Sequence, residues 1–205
     1  MIRLYDYWRS SASYRVRIAL GLAGLDWQSE AINLLDGAQR GAAHLARNPQ
    51  GLVPGLEIDG EVLTQSLAIV EYLDETRGLG LLPDAPLERA RVRALAYAIA
   101  MEIHPICNLS VAKHAAEASG GAISMEGWMQ HFIANGLAAV EEMMTGGETC
   151  LETGLSLADI CLVPQVYNAR RWGVDLEPLP KIQRACAYLE ALPAFAAAAP
   201  ENTPH

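Results

Sequence analysis

Hydrophobic and polar positions follow two rhythms along these 205 residues. Up to about residue 80, short apolar runs alternate with amphipathic stretches; beyond it the spacing is helical almost throughout. Ile2, Leu4, Tyr5 and Tyr7 predict a first strand, and residues 11–20 an amphipathic helix. Residues 27–34 read as a second strand, with Ala31 and Ile32 apolar before Asn33. Asp36-Gly37-Ala38 breaks the chain ahead of a short helix over 39–47, and Asn48-Pro49-Gln50-Gly51 is a turn cluster. Strands over 55–58 and 61–63 are joined by Asp59-Gly60, a pair suited to the type I′ hairpin turn. A helix over 67–76 carries Leu67, Val70 and Leu73 on one side. This β-α-β-α-β-β-α order predicts a small four-stranded α/β sheet covered by helices.

The stretch 77–86, with Gly78, Gly80, Pro83 and Pro86, reads as a linker. A helical pattern then runs from Leu87 to about Ala118 with Pro105 inside it, where a proline should kink the helix. Ser119-Gly120-Gly121 interrupts it; helices follow over 124–144, 157–172 (with Pro164 inside) and 180–192. Ser156-Leu157-Ala158-Asp159 has the form of a capping box. The tail from Ala196 is Ala/Pro-rich and is expected to fray. The domains so defined are 1–79, a linker at 80–86, and an all-helical 87–205.

Charge narrows the partners. Fifteen basic against 24 acidic side chains leave a net −9, which argues against nucleic acid, since that partner needs a basic face. It leaves room for a local cationic pocket built from Arg9, Arg15, Arg17, Arg170 or Arg171. Cys107, Cys150, Cys161 and Cys186 lie far apart without CxxC spacing, so neither a disulfide framework nor a zinc site is expected. The chain opens on a strand-like run without a signal peptide's apolar core, and no apolar run is long enough to span a bilayer. These features predict a cytoplasmic protein without a membrane partner or metal.

Residues 7–20 read Tyr-Trp-Arg-Ser-Ser-Ala-Ser-Tyr-Arg-Val-Arg-Ile-Ala-Leu. They pass from the first strand through a hydroxyl-rich corner into the first helix. Hydroxyls there cap backbone N–H groups, and they sit where the helix dipole favours negative charge. A thiol brought to that point as a ligand ionises more readily than in water. The corner thus reads either as a plain N-cap or as a thiolate-stabilising site. The run resembles the active-site signature of zeta-class glutathione transferases, the maleylacetoacetate isomerase family, which reads Ser-Ser-Cys-x-Trp-Arg-Val-Arg-Ile-Ala-Leu. Ala12 stands where the family has cysteine, and Tyr14 where it has tryptophan. Further matches lie at 103–111 (Ile-His-Pro-Ile-Cys-Asn-Leu-Ser-Val), 156–159 and 161–169 (Cys-Leu-Val-Pro-Gln-Val-Tyr-Asn-Ala).

The resemblance implies the glutathione transferase fold: an α/β thioredoxin-like N-terminal domain followed by an all-α C-terminal domain. It implies glutathione as cofactor, a small anionic maleyl diketo acid as substrate, and a homodimer. Ser10 or Ser11 would lower the thiol pKa, Ser10 slightly ahead, with Ser13 structural. Val53 would meet the cysteinyl part of glutathione through its main chain, with a cis Pro54 holding the geometry. Gln65 and Ser66 would hold the γ-glutamyl end, although the pair also reads as a helix cap. Gln39 and Gln50 are looser candidates for the glycyl end. His104, Asn108 and Ser110 would contact glutathione or substrate, while a histidine beside Pro105 also reads as a structural polar residue. Arg9 and Arg171 would clamp substrate carboxylates. Arg170 reads as a solvated charge, and Arg15 and Arg17 as structural.

The activity implied is glutathione-dependent cis–trans isomerisation of maleylacetoacetate to fumarylacetoacetate in tyrosine and phenylalanine breakdown. Maleylpyruvate isomerisation is the nearest alternative; Ser110 sits where maleylpyruvate relatives carry an additional arginine. Transfer of glutathione to small α-halo acids is another, and a non-catalytic glutathione-binding protein a third.

Overall fold

The computed structural model describes residues 1–203. They form two compact units, one of residues 1–81 with 191–203 and one of residues 82–190. The return of residues 191–203 to the first unit departs from the expected single helical domain over 87–205.

In the first unit, β1 (Arg3–Asp6) lies at the centre of a sheet ordered β2-β1-β3-β4, with β2 (Gln28–Ala31), β3 (Gly55–Ile58) and β4 (Glu61–Thr64). β2 pairs parallel to β1, while β3 runs antiparallel to both β1 and β4. β2 is shorter than the pattern over 27–34 suggests, because Asn33 turns the chain, its Oδ1 accepting from Leu35 N at 3.1 Å. Asp59 and Gly60 both take positive φ (53° and 87°), as a type I′ turn requires. Helices α1 (Ser11–Leu22), α2 (Ala42–Arg47) and α3 (Ser66–Arg77) complete the expected βαβαββα order. Arg47 stacks on Tyr5 at 4.3 Å and pairs with Glu30, which fixes α2 to the sheet.

Helix α1 was expected to be amphipathic, yet it is buried from Ser13 to Leu20, including Arg15 and Arg17. The reason is the tail. Instead of fraying, it forms a short helix (Pro193–Ala198) and a 3₁₀ turn (Pro200–Asn202), and the helix packs along α1. Phe195 is fully buried, and Arg17 Nε donates to the Ala198 carbonyl at 2.9 Å. Gly21 allows the close approach, since a Cβ there would lie 3.3 Å from that of Ala194.

The second unit contains the helices Pro86–Tyr97 (α4), Leu109–Ala118 (α5), Met125–Met143 (α6), Leu157–Arg171 (α7) and Pro180–Leu189 (α8); Pro193–Ala198 is α9. The predicted continuous helix over 87–118 is broken rather than kinked. After α4 the chain enters a π-helical stretch, Ala98–Ile103, in which His104 N reaches back to Ile99 O at 3.0 Å. Asn108 then caps a new helix, α5. Ile103 packs so closely on α6 that a Cβ at Gly136 would lie 2.4 Å from its Cγ1. At the start of α7, the Asp159 carboxylate accepts from Ser156 N (2.8 Å), Ser156 Oγ (2.7 Å) and Cys150 N (2.7 Å). That region of α7 is buried from Leu157 to Val166. Among the described residues no helix is long and apolar enough to cross a membrane.

Candidate active site

Three features of the first unit meet at one end of its sheet. The first is the start of α1. A turn closes with Ser10 N donating to Tyr7 O at 2.8 Å, and Ser10 is the N-cap, its Oγ accepting from Ser13 N at 3.2 Å. That bond uses an oxygen lone pair and leaves the hydroxyl proton as a donor. Ser11, the first helical residue, is buried, whereas Ala12 is partly exposed. No acidic residue occupies the first turn of α1, so no side chain of that turn cancels the positive end of its dipole.

The second is the start of α3, which also has no acid in its first turn. Gln65, preceding it, holds a φ of 69°, an uncommon conformation for a residue with a side chain. Its Nε2 donates to Gln50 Oε1 at 2.7 Å, which ties the turn after α2 to the mouth of α3. Ser66 is buried, and its Oγ accepts from Arg15 Nη1 at 3.2 Å. A buried guanidinium on α1 thus reaches the N-terminus of α3. The sequence reads Arg15 as structural, and its partner at the mouth of α3 is not visible there; the signal is a charge within an otherwise apolar stretch of helix. Gln39 Oε1 is buried and takes no hydrogen bond among the described residues.

The third is the segment before β3. The Val53–Pro54 bond is cis, as the resemblance implies. Among the described residues neither Val53 N–H nor its carbonyl enters a backbone hydrogen bond, so an extended peptide can pair there. Arg9 stacks on Trp8 at 4.5 Å, and its Nη2 donates to Tyr7 Oη at 3.3 Å.

The remaining candidates lie in the second unit. Asn108 and Ser110 are engaged with each other: Asn108 Oδ1 accepts from Ser110 N at 3.0 Å and Ser110 Oγ at 2.9 Å. His104 follows the π-helical stretch and is half-buried. Arg171 is exposed at the end of α7, 5.1 Å from the Trp172 ring, while Arg170 pairs with Glu190 at 2.5 Å.

The protein's own thiols are poor nucleophiles. All four cysteines are buried, with none in a disulfide. Burial pushes the Cys107 thiol up to about 11 and that of Cys186 up to about 12. Cys150 rises well above its ordinary value through burial, reinforced by the neighbouring Asp159 carboxylate. Among the described residues no group of His, Cys, Asp and Glu could hold a metal ion. The site therefore offers anion-stabilising helix ends without a nucleophile of its own.

Known proteins carry the same architecture. Residues 1–75 match the family described as Glutathione S-transferase, N-terminal domain. The maleylacetoacetate isomerase of Rhizobium meliloti is 59% identical over 196 residues, covering 92% of each chain. The chain belongs to the maleylacetoacetate isomerase family of zeta-class glutathione transferases. A zeta-class maleylpyruvate isomerase in its holo form superposes with a TM-score of 0.94 at 38% identity, covering 98% of each chain. The maleylacetoacetate isomerase of Anaeromyxobacter dehalogenans, with dicarboxyethyl glutathione and citrate bound, gives 0.88 at 43% identity over 100% of this chain and 96% of that one. The paired helix starts and the cis Val53–Pro54 bond all lie within the residues that match the N-terminal domain of that family.

Proposed function

We propose that this protein isomerises maleylacetoacetate to fumarylacetoacetate with glutathione as cofactor. The observation that carries the proposal is the pairing of two acid-free helix starts, α1 and α3, through the buried Arg15–Ser66 bond. That frame fits a peptide bearing a carboxylate at one end and a thiol in the middle. Ser66 and the first N–H groups of α3 hold the γ-glutamyl carboxylate, an anion at a helix N-terminus. The unpaired Val53 backbone takes the cysteinyl unit, and Gln65, held by Gln50, closes over the γ-glutamyl end. Gln39, whose Oε1 is buried without a partner, is available to the glycyl end.

Bound glutathione supplies a thiolate that adds reversibly to the conjugated alkene, so that the double bond becomes single for long enough to rotate. Ser10 donates its hydroxyl proton to the sulfur anion as a hydrogen bond while its oxygen keeps capping α1. The start of α1 adds the positive end of its dipole. Arg9, fixed by Trp8 and Tyr7, and Arg171 orient the substrate carboxylates and stabilise negative charge as it develops on the substrate. His104, half-buried after the π-helical stretch, serves as a contact for glutathione or substrate. The Anaeromyxobacter relative, solved with dicarboxyethyl glutathione and citrate in its active site, supports this division of labour.

The family resemblance implies an additional arginine at position 110 in maleylpyruvate relatives; the serine here, engaged with Asn108, favours maleylacetoacetate. Four buried thiols outside any disulfide support a reducing cytoplasm, and the family resemblance supports a homodimer. The test is a spectrophotometric isomerase assay with and without glutathione. Turnover should require glutathione and fall by about 10²-fold or more in Ser10→Ala and Arg171→Ala. Absence of turnover in a protein that binds glutathione by calorimetry would overturn the proposal.

A further inference from the structure

A pocket of about 450 Å³ opens beside Arg9, lined by Asp6, Tyr7, Trp8, Ser29, Ala31, Asn33 and Leu35 as well. Its volume lies in the range of small-molecule sites. One wall is the β1–α1 turn that carries Ser10. The other is the edge strand β2 and the turn after it, to which neither the sequence nor the family signature assigned a function.

Three observations bear on what it holds. Arg9 Nε is buried and makes no hydrogen bond among the described residues, although Trp8 and Tyr7 fix the rest of the guanidinium. A rigid cation with an unused donor is matched to a carboxylate. The second polar group is Asn33; its Oδ1 is engaged by Leu35 N, and its amide N–H groups are donors for a ligand. The Asp6 carboxylate at the pocket wall is matched by Arg17 at 2.8 Å, so it does not oppose an anion. Finally, Trp8, Ala31 and Leu35 give the remaining wall an apolar character. Leu35 is 72% exposed at the rim, an apolar side chain that an aliphatic ligand would cover.

We propose that this pocket is the specificity site for the tail of the substrate, and that it selects extended dicarboxylic acids over compact ones. The carbon chain lies along Trp8, Ala31 and Leu35, carbonyl oxygens of the tail accept from Asn33, and a carboxylate rests on Arg9. This rests on the isomerase reading for the identity of the acid, but the pocket's selectivity is measurable without turnover.

The test compares calorimetric binding of malonate, a compact dicarboxylate, with suberate, an extended one, in the glutathione-loaded protein. Wild type should bind suberate at least tenfold more tightly. Ala31→Trp fills the pocket from an exposed strand position, and should bring suberate to the level of malonate while malonate changes less than twofold. Asn33→Leu, with folding checked by circular dichroism, should lower suberate affinity in the same direction. In the isomerase assay, Ala31→Trp should raise KM for maleylacetoacetate about tenfold with kcat within threefold. Suberate binding no tighter than malonate in wild type, or unaffected by both substitutions, overturns the pocket. Preserved suberate selectivity in a wild-type protein that turns over no maleyl acid would support the pocket and overturn the isomerase reading instead.

Discussion

Arg17 is the side chain on which the first unit depends most, and its replacement can be worked through in numbers. Its guanidinium is 2% exposed and that of its partner carboxylate, Asp6, 3%. Nη1 donates to both Asp6 oxygens at 2.8 Å, Nε to Ala198 O at 2.9 Å and Nη2 to Trp8 O at 2.9 Å. One side chain therefore joins β1, the turn before Ser10 and the C-terminal helix α9. At an effective dielectric of about 20, two unit charges 2.8 Å apart attract by roughly 6 kcal/mol, most of it offset by desolvation. Arg17→Met removes the attraction and leaves the desolvation of Asp6 in place. Breaking one side of such a pair costs about 3–5 kcal/mol, and two carbonyls that lose donors add about 1 kcal/mol each. Urea denaturation should thus show a loss of about 5–7 kcal/mol, a large share of the roughly 5–15 kcal/mol typical of whole proteins. Pairing the change with Asp6→Leu removes the stranded carboxylate and should recover at least about 2 kcal/mol. A loss below about 1 kcal/mol in Arg17→Met, or a double variant no more stable than the single one, would refute this account.

The buried thiols give a reactivity prediction with a defined sign. Cys107, raised by burial to about 11, is thiolate only above that pH, so near pH 7 its alkylation should be about 100-fold slower than that of a model thiol. The rate, followed by mass spectrometry with iodoacetamide, should climb about tenfold per pH unit towards 11, and a labelling rate at pH 7 equal to that of a small thiol would contradict it. In the second unit, Asp159→Ala deprives Cys150 N, Ser156 N and Ser156 Oγ of a buried acceptor. Thermal denaturation should report a loss of about 3 kcal/mol or more, and a change within about 0.5 kcal/mol would show that these donors find other partners.

Local chemistry was legible where a short segment decides its own conformation. Asp59-Gly60 is such a segment, because the I′ turn demands positive φ at both positions and this pair tolerates it. The start of α1 is another, since Ser10 caps it with an oxygen only three residues from its donor. What stayed hidden depends on partners far along the chain. Arg15 and Arg17 read as structural, but their partners Ser66, Asp6 and Ala198 are identified only once the fold brings them together. The tail from Ala196 reads as a frayed Ala/Pro segment because it holds no large apolar side chain; Phe195, just before it, anchors it only once α1 lies alongside. The π-helical register before His104 was equally out of reach, since Gly136 on α6 makes the room that Ile103 fills. At Asn108 and Ser110 the family match suggested ligand contacts, whereas the structure shows Asn108 as the N-cap of α5, inside a stretch whose pattern reads as continuous helix.

The two readings of the serine corner, cap or thiolate site, are chemically compatible. A hydroxyl has two lone pairs and one proton. Ser10 spends an oxygen lone pair on Ser13 N and keeps the proton, so the bond that starts α1 also fixes the direction in which that proton can be offered. The same helix end supplies the favourable potential, and Arg15 adds a buried positive charge one turn further in. Replacement of the family cysteine by Ala12 then has a clear chemical meaning. With Cys107 and Cys186 pushed to about 11 and 12 and Cys150 well above its ordinary value, these protein thiols do not provide the sulfur anion that the proposed site would stabilise. The nucleophile must be borrowed, and a helix end that carries no cysteine of its own holds nothing that would compete with the borrowed thiol for the same hydrogen-bond donor.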